Sequence, residues 1–117
     1  MHNYHELKIW QESRKLVKDV YSLTSVFPKE EMYGLTSQIR RAAVSVPSNI
    51  AEGTGRNGDK EFSRFLDYAI GSLFELETQV ILANDLGFIP EEKFTGINEG
   101  IKSLIKMTTK FKSVLKV

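Results

Sequence analysis

Few residues in this chain have the type and spacing to do chemistry. His2 and His5 sit three apart at the N-terminus, too few ligands by themselves for a metal site. No metal site is expected, because a bundle metal centre also needs Glu-x-x-His pairs on facing helices. There is no cysteine, and no histidine lies where a helical serine could use it as a base, so nucleophilic catalysis has no sequence support. The glycines of Glu52–Lys60, EGTGRNGDK, lack the Lys-Ser/Thr ending and the preceding strand of a phosphate loop, and they read as a helix–helix turn. Glu77 falls at the edge of an apolar arc and Glu75 points away from it; the expected role of Glu77 is to pair with a basic residue or cap a polar contact, with Arg41 or Arg40 as candidates. No catalytic residue and no cofactor are expected.

Two groups of cations remain. Lys102, Lys106 and Lys110 recur every four residues, as a solvated face or as a strip that tracks phosphates. Arg56, Lys60 and Arg64 form a second basic cluster. No aromatic alternates with the lysines, so stacking on single-stranded bases is not signalled. The net charge is +1 but uneven. Residues 58–89 carry six acidic and two basic side chains, whereas residues 90–117 carry three acidic and six basic. Such asymmetry fits segments that neutralise each other across a bundle, or a cationic surface offered to a polyanion.

The elements that must position these groups are helices. Strong turn signals stand at Phe27-Pro28, Arg56–Asp59 and Gly87–Pro90, and no segment alternates with period two. The first segment, about Glu6 to Val26, carries two stripes. Leu7, Trp10, Val17, Tyr21 and Thr24 form one; Ile9, Leu16, Val20, Leu23 and Phe27 form the other. The third, about Lys60 to Leu86 with Asp59 as its expected cap, has a main stripe from Phe62 to Ala83 that Ile70, Phe74 and Ile81 widen. The fourth, after Pro90, has a narrower stripe of Phe94, Ile97, Ile101, Leu104, Ile105, Phe111 and Leu115.

The second segment sets an apolar seam (Leu35, Ile39, Ala42, Ala43, Val46, Ile50) beside a polar one. The polar stripe is Gln38, Arg41, Ser45, Asn49 and Glu52, continued by Arg56, and lies about 100° from the first. With Glu77 it is the candidate interface or structural polar stripe. Pro47 stands inside this helix; the apolar phase continues across it, which predicts a kink rather than a break, with Ser45 and Ser48 placed to help the freed backbone groups.

The predicted fold is all-α: a single-domain, antiparallel up-and-down four-helix bundle with a proline-kinked second helix, residues 1–5 forming a frayed arm. Its 117 residues, 41% apolar and 26% charged, suit one soluble domain. No apolar run approaches the ~20 residues of a membrane span, and no secretory signal is visible, so a cytoplasmic location is expected and no membrane partner. The first and third helices carry more apolar arc than one bundle buries, which predicts a homo-oligomer.

The strings YGLTSQIRRA (Tyr33–Ala42), SVPSNIAEG (Ser45–Gly53), FPKEE (Phe27–Glu31), LKIW (Leu7–Trp10), FSRFL (Phe62–Leu66) and GSLFELET (Gly71–Thr78) resemble the 23S rRNA intervening-sequence proteins. That resemblance implies a four-helix bundle assembling as a homopentamer around a central channel, in a bacterial family with no known catalytic residues. The accessory protein of diversity-generating retroelements looks similar and implies nucleic acid and a reverse transcriptase as partners. The expected function is a non-enzymatic oligomeric scaffold that binds RNA or a ribonucleoprotein through basic surface residues. The alternative is a purely protein-binding assembly module with no nucleic-acid role.

Overall fold

The computed structural model describes residues 2–117. Four helices follow one another: α1 (Lys8–Thr24), α2 (Leu35–Thr54), α3 (Asp59–Asp85) and α4 (Glu91–Ser113). Each packs on its chain neighbours, and α1 also meets α4, so the helices form a closed ring of four. Short connections make successive helices antiparallel. The particle measures 44 × 24 × 20 Å, close to the ~40 Å that the 27 residues of α3 span at 1.5 Å each.

The core is the set of stripes expected from helical spacing. Ile9, Leu16, Val20, Leu23 and Phe27 are buried from α1 and its exit. Ile39, Ala42, Ala43, Val46 and Ile50 are buried from α2, and Phe62, Leu66, Ala69, Leu73, Leu76, Val80 and Ala83 from α3. From α4 only Ile97, Ile101 and Leu104 are fully buried among the apolar residues; Phe94, Ile105, Phe111 and Leu115 pack at the margin. The α2–α3 contact is the most extensive. It is tight enough at Gly53 that an added Cβ would lie 2.8 Å from Phe62 Cδ1 and from Phe65 Cβ.

The structure departs from the expectation at three places. Gly58, at φ 86°, caps α3 in place of Asp59, which is the first helical residue; the Asp59 carboxylate instead accepts the Lys116 N–H at 3.1 Å. The carboxylate has a partner on the far end of the chain, and glycine supplies a backbone geometry that Asp59 would strain to adopt. The expected frayed arm is folded onto the bundle over its described residues, Met1 lying outside them. Asn3 Oδ1 accepts the His5 N–H, Tyr4–Glu6 form a 3-10 turn, and the His2 ring lies 4.9 Å from that of Phe62. Aromatic packing supplies what the sequence periodicity did not signal. Helix α2 runs unbroken through Pro47. Neither nearby hydroxyl serves the Ala43 carbonyl that the proline deprives: Ser45 donates to Ala42 and Ser48 to Val44.

The α3–α4 turn has a simple cause. Gly87 at φ 78° lets its own N–H reach the Asn84 carbonyl and the Phe88 N–H reach Ala83, both at 3.0 Å. The Phe88 ring then meets Phe27 at 5.7 Å and closes that end of the bundle.

Candidate nucleic-acid interface

Lys102, Lys106 and Lys110 stand on the exposed flank of α4, and none takes part in an ion pair among the described residues. One helical repeat of four residues separates neighbours by about 6 Å along the axis. Because like charges at this spacing repel, the strip gains by binding a polyanion. Lys112 is spent differently: its Nζ lies 2.6 Å from Asp67 Oδ1 and ties the end of α4 to α3.

The second basic cluster is not a unified surface. The Arg56 guanidinium pairs with Glu52 and sits 4.8 Å from the centre of the Phe65 ring. Arg64 reaches Glu61 at 4.0 Å. Lys60 is exposed and in no ion pair among the described residues. Two of these three cations are therefore partly neutralised by their own helices, and the α4 strip is the stronger candidate for phosphate.

The polar stripe of α2 is partly internal housekeeping. Ser45 donates to the Ala42 carbonyl and Asn49 Nδ2 to the Ser45 carbonyl at 2.8 Å. Gln38, Arg41 and Glu52 are exposed, and Ser45 and Asn49 half-buried. Glu77 is half-buried and makes no ion pair with Arg40 or Arg41 among the described residues. Arg40 is committed elsewhere: its Nε donates to Thr24 Oγ1 at 2.8 Å, and its guanidinium lies 4.5 Å from the centre of the Tyr21 ring. Those α1 contacts leave it no role at Glu77.

A second surface was missed. Trp10, Arg14, Val17 and Tyr21 of α1 face Arg40, Val44, Pro47 and Ala51 of α2 across a groove on the outside of the bundle. Arg14 lies 5.6 Å from the Trp10 ring centre. The signal was present as alternating steps of four and three from residue 10 to residue 21, with an arginine inside an aromatic stripe. His2 and His5 diverge, the first pairing with Asp59 at 3.6 Å and the second stacking on Tyr4 at 4.1 Å. Among the described residues, no group of three or more His, Asp or Glu side chains is placed to hold a metal ion, and no helix is long and apolar enough to cross a membrane.

The fold has solved counterparts. It is similar to the crystal structure, at 1.70 Å, of a protein of unknown function from the S23 ribosomal protein family of Bacteroides thetaiotaomicron VPI-5482. The TM-score is 0.80 at 19% identity, covering 89% of this chain and 97% of that one. No curated protein matches the sequence. The family model described as 23S rRNA-intervening sequence protein matches residues 5–110, and the chain belongs to that family.

Proposed function

We propose that this protein is a non-enzymatic scaffold, assembled from several copies (five, by the resemblance), which binds RNA or an RNA-bearing partner through the α4 lysine strip. The observation that carries the reading is the set of three lysines, one per helical turn, exposed and in no ion pair among the described residues. Replicating the strip around an assembly raises the effective concentration of the second and later contacts, so a weak cationic strip becomes a useful one. Location in the cytoplasm, beside RNA, belongs to the same reading.

The test is RNA binding by the intact protein as a function of salt. Counterion release predicts a log–log slope steeper by roughly 0.9 for each duplex phosphate engaged. The triple variant Lys102→Glu, Lys106→Glu, Lys110→Glu loses binding at low salt and keeps its helicity and its assembled mass. Unchanged binding by that variant rejects the strip. No binding by the wild-type protein at low salt turns the choice to the second reading, a protein-binding module, which the aromatic groove between α1 and α2 favours.

A further inference from the structure

We infer that the end of the bundle formed by the α1–α2 and α3–α4 connections docks a cationic, amphipathic segment of a partner protein. This surface is separate from the α4 lysine strip, and neither reading rests on the other.

Both connections lie at the same end because successive helices are antiparallel, and the Phe27 and Phe88 rings, 5.7 Å apart, join them. Phe27 is buried and Phe88 half-buried. The large side chains beside them are not. Tyr33 is 97% exposed and Leu86 61%, and Val26 and Met32 are also open to solvent. The Tyr33 ring stacks on no other ring and meets no cation among the described residues. A tyrosine left in water adds nothing to the core, yet it offers a docking segment a large, rigid contact area.

This end is acidic. Residues 25–34 and 85–93 carry five carboxylates and two lysines. Glu31 is engaged within the fold, accepting the Leu35 N–H at 3.2 Å, and Glu91 and Glu92 complement the first turn of α4. Glu30 and Asp85 have no such role: both are exposed and in no ion pair among the described residues. Asp85 ends α3, where a helix favours cations, so its charge is locally unfavourable. A carboxylate held against the local rule, beside an exposed apolar cluster, belongs to binding rather than to folding.

The opposite end has the reverse sign. Residues 54–64 and 110–117 carry six basic and two acidic side chains. Polyanions are drawn to that end and repelled from the acidic one, as is an anionic lipid surface. What fits carboxylates around tyrosine, leucine, valine and methionine is a segment rich in lysine or arginine that presents one apolar face.

The experiment is fluorescence anisotropy of a labelled lysine–leucine peptide, its leucines at helical spacing, titrated with the purified full chain without RNA. The wild type binds, more weakly as salt rises. Tyr33→Ala with Leu86→Ala, and separately Glu30→Lys with Asp85→Lys, each raise Kd at least about tenfold. Circular dichroism and urea denaturation find both pairs folded, and the charge-reversed pair no less stable than the wild type, because lysine suits the end of α3. Absence of wild-type binding, an unchanged Kd in either pair, or equal binding of a glutamate–leucine peptide of the same spacing overturns the proposal. So does an assembled mass that falls in the Tyr33→Ala, Leu86→Ala pair, which assigns this end to a second copy. Because RNA takes no part in the titration, failure of the lysine strip to bind RNA leaves each of these outcomes as it stands.

Discussion

Two buried threonines carry the same hydroxyl in different company. Thr108 Oγ1 donates to the Leu104 carbonyl of its own helix and has no further hydrogen-bond partner among the described residues. Thr24 Oγ1 donates to Val20 and also accepts the Arg40 Nε–H, linking α1 to α2. Thr108→Val therefore changes stability by less than about 0.5 kcal/mol, since such back-bonding adds little to a helix. Thr24→Val leaves a half-buried guanidinium short of an acceptor and costs about 1–2 kcal/mol. Urea denaturation of the two variants checks the difference; equal effects would remove the Thr24–Arg40 link from the account. The glycines divide in the same way. An alanine at Gly53 meets Phe62 and Phe65 at 2.8 Å, and overpacking of roughly 1–3 kcal/mol exceeds the ~1 kcal/mol gained in helix propensity. At Gly100 an added Cβ would meet no other part of the described structure within 4 Å beyond its own helix backbone, so Gly100→Ala raises stability by about 0.5–1 kcal/mol, read in the same denaturation experiment.

The helices themselves were legible because each follows a single repeating signal. Ile39, Ala42, Val46 and Ile50 repeat at helical spacing, and all four are buried. Legibility failed where the partner lay far along the chain. Asp59 looked like a cap, yet its carboxylate is engaged by Lys116, 57 residues away. The N-terminal turn rests on rings that meet only in the folded bundle: Tyr4 against Trp10 at 5.2 Å and His2 against Phe62. Arg40, one of the two arginines expected for Glu77 beside Arg41, turned instead to Thr24 and Tyr21, a choice set by helix rotation rather than by charge. Pro47 gives a prediction at this scale. Pro47→Ala restores an N–H beneath the Ala43 carbonyl; against a cost of ~3 kcal/mol for an interior proline stands up to ~1 kcal/mol of unfolded-state entropy. The variant should gain about 2 kcal/mol of stability by thermal or urea unfolding. A loss would mean that packing of α2 against α1 and α3 depends on the proline.

Over the whole molecule, the inner stripes of α1 and α3 close one core and their outer stripes do not. Tyr21 on α1 and Phe74, Ile81 and Leu82 on α3 remain open to water after the bundle has formed. The lysine strip could be read in the sequence as a spacing, but its freedom from ion pairs among the described residues could not, because that depends on which carboxylates the folded bundle brings to α4, where Asp67 of α3 meets Lys112. Apolar flanks of this kind on a small bundle are expected to be covered by other copies. Sedimentation equilibrium of the purified chain at micromolar concentration weighs that directly. A particle several times 13.3 kDa is the predicted result, and a stable species of 13.3 kDa across the concentration range would contradict it.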